Sequence, residues 1–491
     1  MLYRGHSLTM MFWTVLAVYV SPSALAGTPS ELAWSTYFGS PNHTETWDTA
    51  VDQDGNVIVT GATMDGLPVT AGAYDTTHNG EVDCYVAKFD GTDGSLLWCT
   101  YIGGTGRDEG NSILPLDNGD IVIAGNTRGG FTVPEGPYDT YNGGYYDVFI
   151  VCLSGDGTTL KGGMFLGGAS TDELWERTRM AADADGNIYL TGQTFSNDFP
   201  ATTGADDENL SGSSDAFVAK VSGDFQTIVY ATYLGGSNIE VGKGLVIDDE
   251  GNAYVCGMTQ SIDFPATPGA YDNEYAGEWD AFVAKLNNDG SDVVWATFLG
   301  GVLRDYAWDI AREENGKLVI AGKTHNADFP VTPGAYDETF NGPYDTGDIY
   351  VARLSANGSK LLAATFVGGK KGEIALGLAR DADGNIWLSG ETESHNFPLK
   401  GNAFQTDPKN KTPNCYIAAV NKNLSRLVFG SYLGGKGIDM EGHIAVGSDG
   451  NPVVSGNTYS TKFPVTEGAY QMDLPGFRSS FITKVQLPSK K

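Results

Sequence analysis

Seven acidic side chains recur along the chain, each a few residues after a repeated glycine-containing element. If these segments surround one axis, the carboxylates form a ring that favours cations, and their repulsion raises some of their pKa values. Alternatively, each carboxylate accepts backbone N–H groups of its own loop. We expect this local role for most of them, because each pair in a shared channel costs about 2 kcal/mol at ~8 Å and an effective dielectric of 20. The candidate metal ligands, which would suit Ca²⁺, are Glu45, Glu109, Glu173, Glu240, Asp305, Glu373 and Glu441.

Five aromatic or cationic residues lie close to these acids in sequence. Aromatic side chains at the mouth of a channel can stack on sugar rings, and they can equally be ordinary core residues. Unlike the acids, these five differ in type between copies, and a specific site needs such asymmetry. The candidate ligand-binding residues are Trp47, Trp175, Lys243, Trp308 and His443.

Motifs of known chemistry are missing from the sequence. It contains no His-Glu-x-x-His, Gly-x-Ser-x-Gly or Cys-x-x-Cys motif, and its histidines are scattered. The Asp-x-Asp-Gly-Asn runs at 183–187 and 381–385 suggest calcium, but their glycine is fourth and an EF-hand loop needs glycine sixth. We therefore interpret these runs as hairpin turns and assign no catalytic residue.

The positions of these residues are set by an internal repeat. A Tyr-Leu-Gly-Gly element recurs seven times, at spacings of 64 to 68 residues, and a Gly-x-Thr element also recurs seven times. Two independent markers with the same count indicate seven repeats. The first glycines of the Tyr-Leu-Gly-Gly copies are Gly39, Gly103, Gly167, Gly235, Gly300, Gly368 and Gly434.

Each repeat predicts four strands and no helix. In the fourth copy the predicted strands are 245–248, 253–256, 281–286 and 293–299, joined by two short turns and one loop of about two dozen residues. Four strands per unit predict a propeller blade. Up-and-down strand order then requires the long loops and the acid-bearing loops to lie on one face, opposite the Asp-x-x-Gly-Asn turns.

The repeated motifs resemble those of a known family. Thr232-Tyr-Leu-Gly-Gly236, Asp248-Asp-Glu-Gly-Asn252, Phe264-Pro-Ala-Thr-Pro-Gly-Ala-Tyr271 and Asp280-Ala-Phe-Val-Ala-Lys285 resemble the SBBP repeat, and copies extend over about 32–487. The resemblance implies an all-β fold, a seven-bladed β-propeller with four antiparallel strands per blade, in a secreted or cell-surface bacterial or archaeal protein. It implies little about chemistry.

The two ends of the chain predict how the ring closes. The repeats begin with a fourth-type strand at 32–38 and end after a third-type strand at 480–485, so the first strand is expected to complete the last blade and remove two exposed edges. Residues 1–26 are a predicted secretory signal peptide with cleavage near Ala26, followed by a linker at 27–31, the propeller at 32–487 and a tail at 488–491.

Composition limits the partners. The formal charge is −31, and it becomes −32 without residues 1–26, which contain Arg4 and no acid. This excess argues against nucleic acid and anionic membranes, and no segment predicts membrane insertion. Five cysteines do not make a disulfide framework. Cys84 and Cys99 could pair across one hairpin, and the alternative is five buried thiols.

Three functions remain open from the sequence. The first is a non-catalytic, monomeric scaffold outside the cytoplasm that binds a protein or a glycan through the loop-rich face. The second is a propeller-type polysaccharide lyase or glycoside hydrolase, although fold alone does not establish an activity. The third is a scaffold stabilised by calcium.

Overall fold

Seven β-sheets are arranged as the blades of a closed propeller. The computed structural model describes residues 30–175, 178–409 and 413–488, so the predicted signal peptide lies outside the described residues. Six sheets have four antiparallel strands, and the seventh has its first strand in two pieces. The all-β, seven-bladed fold predicted from the repeats is therefore confirmed. Within the described ranges, no helix is long and apolar enough to cross a membrane.

The strands follow one order in each blade, from the innermost to the outermost. Blade 1 consists of β2 (Thr44–Val51), β3 (Val57–Thr63), β4 (Asp83–Phe89) and β5 (Leu96–Ile102). Blade 2 consists of β6 (Asp108–Pro115), β7 (Ile121–Thr127), β8 (Asp147–Leu153) and β9 (Leu160–Leu166). Blade 4 consists of β15 (Glu240–Ile247), β16 (Ala253–Thr259), β17 (Asp280–Leu286) and β18 (Val293–Leu299). Blades 5 and 6 consist of β19 (Asp305–Arg312), β20 (Leu318–Thr324), β21 (Asp348–Leu354), β22 (Leu361–Val367); and β23 (Glu373–Arg380), β24 (Ile386–Thr392), β25 (Asn414–Val420), β26 (Leu427–Leu433).

The two remaining blades depart from this pattern. Blade 3 consists of β10 (Asp172–Glu173), β11 (Ala181–Ala182), β12 (Ile188–Thr194), β13 (Asp215–Val221) and β14 (Ile228–Leu234), and blade 7 of β27 (Asp439–Val446), β28 (Pro452–Thr458), β29 (Ser479–Gln486) and β1 (Glu31–Phe38). Between β10 and β11, the described residues 174–175 and 178–180 lie outside the sheet. Blade 3 therefore contributes a loop to the central channel where the other blades contribute a continuous strand.

Ring closure has the predicted form. Strand β1 pairs antiparallel with β29, from Glu31 opposite Gln486 to Phe38 opposite Ser480. The sheet order in this blade is β1-β29-β28-β27. The first strand of the propeller is thus the outer strand of the last blade, which confirms the prediction made from the two ends.

The repeated aromatic residues pack together in each blade. In blade 4, the ring of Phe264 in the long loop lies 4.6 Å from that of Phe282 on β17 and 5.8 Å from that of Phe298 on β18. Blade 6 repeats the arrangement, with Phe397 at 4.5 Å from Tyr416 and 6.1 Å from Tyr432. These contacts explain why the three motifs recur together: each triplet fixes a long loop onto its own blade.

The long loops share a face with the connections between blades. Glu240, which begins β15, pairs with Thr259, which ends β16, so both loop types start at the same end of the sheet. A bond from Glu278 N–H to Leu303 O, 2.7 Å long, joins a long loop to the next connection. This is the loop-rich face, and the prediction about it is confirmed. The short turns occupy the opposite side, which we call the turn face.

The Asp-x-x-Gly-Asn turns use their acidic side chain internally. The Asp248 carboxylate accepts the Asn252 N–H at 2.9 Å and lies 3.2 Å from Lys285 Nζ. Gly251 takes a φ of 81°, which favours glycine. The runs therefore form hairpin turns, as the position of their glycine indicated.

The five cysteines are free and buried. Cys84 pairs with Ile102 and Cys99 with Ala87 in the β4–β5 register. Because Cys84 and Ala87 are an odd number of residues apart, the two thiols point to opposite faces of the sheet. The suggested Cys84–Cys99 disulfide is therefore wrong, and the alternative of buried thiols is correct.

Candidate functional site

One acceptor side chain per blade holds the connection between blades. Glu240 accepts the Gly236 N–H at 2.9 Å and the Thr259 hydroxyl at 2.5 Å. Seven residues share this position at the start of the innermost strand, each four residues after the second glycine or its equivalent. We call them the belt: Thr44, Asp108, Asp172, Glu240, Asp305, Glu373 and Asp439.

The belt corrects the alignment of the seven acids predicted from sequence. Glu240, Asp305 and Glu373 belong to it, but Glu45, Glu109 and Glu173 lie one residue further along their strands, and Glu441 lies two residues after Asp439. Consecutive or closely spaced acids in three of those repeats made two alignments look equivalent, and in blade 1 the belt position holds Thr44, which is followed by Glu45. The seven predicted acids therefore do not form one ring, and within the described residues no three His, Cys, Asp or Glu side chains form a group that could hold a metal ion.

Burial raises the pKa of the belt carboxyls. Desolvation is the main cause, and it raises the pKa of Asp305 and of Glu373 to about 7 and that of Asp108 to about 6. The aspartates that begin the third strands behave alike: desolvation raises the pKa of Asp215 to about 7 and that of Asp348 to about 8. These groups bind protons more tightly in the folded chain than in the unfolded chain.

We expect the propeller to be more stable at pH 5 than at pH 8. A carboxyl whose folded pKa is raised loses its contribution as the pH rises from about 4 to about 8, and several belt groups add to give about 3 kcal/mol or more. Below pH 4 the trend should reverse, because Asp183 has a pKa lowered to about 2, where hydrogen bonds from Asn187 and Lys220 outweigh desolvation. Denaturant unfolding at several pH values measures the curve. Asp305→Asn should flatten it between pH 5 and 8, and equal slopes in both proteins would contradict the assignment.

A funnel opens at the centre of the loop-rich face. Its cavity has a volume of about 530 Å³. Four of the five predicted ligand-binding residues line it, namely Trp47, Trp175, Lys243 and Trp308. Residues of different types from different blades thus meet at one place, so the funnel lacks the symmetry of the repeat.

A bulge in the innermost strands turns these residues toward the axis. In blade 1 the register skips Trp47 between Thr46 and Asp48, and in blade 5 it skips Trp308 in the same way. Lys243 is the skipped residue of blade 4. The predicted equivalence of His443 was wrong, because His443 pairs with Ser455 and Gly442 stands at the bulge. His443 is buried and does not line the funnel.

Lys243 lies between two of the tryptophans. Its ammonium is 4.9 Å from the centre of the Trp308 ring and 5.5 Å from that of Trp175. Such contacts hold a cation against aromatic faces. Trp175 is 38% exposed and its indole N–H donates to Gln193 Oε1 at 2.7 Å, so its orientation is fixed while part of its ring stays accessible.

Three polar atoms of the funnel residues have no hydrogen-bond partner among the described residues. They are the indole nitrogens of Trp47 and Trp308 and Oδ1 of Asn111. Trp47 is only 4% exposed and Asn111 only 1%. A buried polar atom without a partner costs about 1–3 kcal/mol. Two donors and one acceptor of the funnel residues therefore lack a hydrogen-bond partner, which a polar ligand or water would supply.

Carboxylates on one side of the funnel sit in different environments. Burial raises the pKa of Glu173, with Glu109 adding to the effect, and burial also raises that of Glu109 despite its pairing with Arg107. Burial acts on Glu45 as well, but hydrogen bonding to His43 and the charge of Arg478 lower its pKa overall. One cavity therefore contains carboxyls with raised and with lowered pKa values.

The loop of blade 3 crosses the channel below the funnel. Arg179 Nη2 lies 2.8 Å from Asp309 Oδ2 of blade 5 and donates to Leu378 O of blade 6 at 3.1 Å. The Arg179 N–H donates to Lys243 O of blade 4 at 3.1 Å. These contacts of Arg179 tie blade 3 to blades 4, 5 and 6, and the loop supports Trp175, whose carbonyl accepts the Thr178 hydroxyl at 2.7 Å.

Aromatic side chains continue from the funnel toward the rim over blade 5. The Tyr306 ring lies 5.8 Å from that of Trp308 and 6.4 Å from that of Trp279. Tyr306 and Trp279 are both partly exposed. The funnel therefore extends outward along a line of three aromatic residues.

Sequence reasoning missed the polar residues of blade 2 and the crossing loop. Asn126 Nδ2 and Asn111 Nδ2 donate to Leu174 O at 2.9 and 3.1 Å, which fixes the blade 3 loop from the neighbouring blade. Arg107 and Tyr146 complete that side of the funnel. No motif marks these residues: Asn111 and Tyr146 have no counterpart of the same type in the other repeats, and Asn126 and Arg107 recur only as Asn457 and Arg304.

Comparison with known proteins supports the fold. Residues 229–265 match the family model of SBBP, the beta-propeller repeat. No curated protein matches the chain. A crystal structure of a protein of unknown function from Dyadobacter fermentans is 10% identical, with 94% of this chain and 100% of that chain covered and a TM-score of 0.42. The quinohemoprotein alcohol dehydrogenase ADHIIG from Pseudomonas putida HK5 is 10% identical, with 94% and 77% covered and a TM-score of 0.36. At such TM-scores neither likeness carries an argument, and the support for the fold is the match to the family model.

Proposed function

We propose that this chain, a seven-bladed β-propeller of the SBBP repeat family, binds a glycan in the funnel of its loop-rich face, outside the cytoplasm. The observation that carries this proposal is the convergence of Trp47, Trp175 and Trp308 with unpartnered polar atoms in one cavity. Indole faces pack against the C–H faces of sugar rings, while indole N–H and amide oxygen atoms bond to hydroxyl groups. A purely apolar ligand would fit less well, because the indole N–H groups and the amide oxygen would then stay buried without a hydrogen-bond partner.

The charges favour a neutral glycan over a polyanionic one. The funnel contains Glu45, Glu109 and Glu173 against Arg107 and Lys243, and the whole chain has a formal charge of −31. A polyanion would approach against this field. The aromatic line from Trp308 to Trp279 supports a ligand longer than one sugar unit, because it provides packing surface beyond the funnel.

Binding to a panel of neutral and anionic oligosaccharides, followed by calorimetry on the best neutral one, tests the proposal. Trp175→Ala should weaken binding by at least about tenfold, which corresponds to about 1.4 kcal/mol and is typical of an aromatic anchor. Phe477→Ala is the matched control, since Phe477 is a 79% exposed aromatic residue before β29 and lies outside the funnel. Equal affinity in the two variants, or no binding by the wild type, would refute the proposal.

Hydrolysis of the bound glycan is the second candidate, and the divided carboxyls favour it. A glycosidase pairs a protonated acid with an ionised carboxylate. In the funnel, the pKa of Glu173 is raised and that of Glu45 is lowered. New reducing ends from a bound oligosaccharide, lost in Glu173→Gln, would support catalysis. Binding without product favours the scaffold. Calcium stabilisation stays a prediction, which melting with Ca²⁺ or with chelator tests.

A further inference from the structure

A second cavity lies on the turn face, between blades 5 and 6. It has a volume of about 380 Å³, and its lining includes Lys317, Arg353, Arg380 and Lys422. We propose that this cavity binds a tetrahedral oxyanion, sulfate or phosphate. The site is separate from the funnel and independent of its function.

The two blades depart from the repeat at this cavity. The last residue of the innermost strand is apolar in the other blades, where it is Val51, Pro115, Ala182, Ile247 or Val446. In blades 5 and 6 the same position holds Arg312 and Arg380. A structural requirement of the repeat would be met in all seven blades, so two neighbouring arginines at one place indicate a local purpose.

Pairing with carboxylates does not account for these cations. Elsewhere each cation on a third strand is matched by the acid of its turn, as in Lys88–Asp52 at 2.8 Å and Lys220–Asp183 at 3.0 Å. In blade 5 the turn acid is Glu313, and its Oε1 lies 2.7 Å from Arg353 Nη2.

The remaining cations of the cavity keep their charge available. Among the described residues, Arg312, Lys317, Arg380 and Lys422 have no carboxylate oxygen within 4.0 Å; the ion pairs of this region are those of Arg353 alone. The acids of the lining are Glu313, Glu314 and Asp383. The lining therefore holds four cations against three acids, with Arg312 as a fifth cation behind it. This is a local excess of positive charge in a chain whose formal charge is −31.

The geometry leaves donors for an anion. Arg380 Nη1 donates to Arg312 O at 3.1 Å, while Nε of Arg380 and Nε of Arg312 are buried without a hydrogen-bond partner in the described part of the chain. A Cβ placed on Gly384 would lie 3.4 Å from Lys422 Cβ and 3.9 Å from Arg380 Nη2. The two cations therefore flank the glycine turn, where only backbone intervenes.

A tetrahedral anion suits this arrangement better than a single carboxylate. Guanidinium groups bind oxyanions through planar N–H forks, and lysines add point charges from other directions. Arg380, Lys317 and Lys422 come from three different segments, so an anion with several oxygens can meet them together. The oxyanion is either free in solution or carried as an ester on a larger molecule.

Calorimetric titration of the full chain with sodium sulfate, sodium phosphate and sodium acetate, at constant ionic strength, tests the proposal. The double variant Lys317→Met/Lys422→Met removes two cations that make no ion pair with the residues that the structure describes. Lys370→Met/Lys371→Met is the control, since it removes two exposed lysines from the opposite face and changes the net charge equally. We expect saturable sulfate or phosphate binding in the wild type and the control, weakened at least tenfold in the cavity variant.

Three results would overturn the proposal: no saturable binding of sulfate or phosphate by the wild type, the same affinity in both double variants, or acetate binding as tight as sulfate binding. A sulfated monosaccharide identifies the source of the anion. Binding as tight as that of sulfate assigns an ester-bearing ligand, and much weaker binding assigns the free ion.

Discussion

Deletion of residues 27–39 is expected to abolish the cooperative unfolding transition of the whole propeller. The deletion removes β1, which pairs with β29 along its length and buries Trp34, Tyr37 and Phe38. Burial of each large apolar side chain contributes roughly 1.5–3 kcal/mol. The loss therefore approaches the entire stability of a typical domain, about 5–15 kcal/mol, and it leaves both an unpaired strand edge and an open ring.

Thermal and denaturant unfolding of the truncated chain measures this effect. The Tyr37 hydroxyl donates to Ser460 O at 2.6 Å and accepts the Phe463 N–H at 3.0 Å, so the strand also holds a long loop of blade 7. A synthetic peptide of residues 27–39 should restore part of the lost stability when added in trans, whereas a scrambled peptide should not. A truncated chain that melts like the wild type would show that the ring is stable without its closing strand.

The repeat made the fold predictable to an unusual depth. Seven copies of two markers gave the blade count, and the order of strand types at the ends gave the closure. Both inferences depend on local sequence patterns that recur in every repeat. A wrong strand assignment in one repeat is therefore corrected by comparison with the others. The aromatic triplets, such as Phe264 with Phe282 and Phe298, add the tertiary contacts that preserve those patterns.

The candidate site was only partly predictable, because it consists of departures from the repeat. Four funnel residues were predicted because the residue type differs between the repeats at these positions. The acids were misaligned, although a constant spacing of four residues from the second glycine, as from Gly104 to Asp108, would have identified the belt. Residues such as Asn111 and Arg179 occur once, and their role depends on which blades face each other across the channel.

The crossing loop of blade 3 left one trace in the sequence. The second glycine and the turn glycine are 15 residues apart in five repeats, as from Gly236 to Gly251, and 18 apart in the third, from Gly168 to Gly186. Three extra residues in a strand that lines the axis must leave the sheet, and the only space beside them is the channel. Spacing therefore indicates an insertion, but it does not indicate its contacts.

Arg179→Met is expected to destabilise the propeller by about 3 kcal/mol, toward the lower end of the range for breaking a buried ion pair because the side chain is partly exposed. The substitution leaves Asp309, whose side chain is 5% exposed, without its cation. Asp48 also lies in the field of Arg179, and burial has already raised its pKa to about 6. The loss should therefore be larger at pH 8, where the Asp48 carboxyl is ionised, than at pH 5.

Arg304→Met is the matched control for this prediction. Arg304 pairs with Glu278 at 2.7 Å, but their side chains are 52% and 60% exposed, and such surface pairs contribute about 0–1 kcal/mol. Denaturant unfolding at pH 5 and pH 8 compares the two variants. Because the crossing loop also supports Trp175, Arg179→Met should weaken glycan binding in the funnel. Equal, small losses of stability in both variants would mean that the loop fills the channel without bracing the blades.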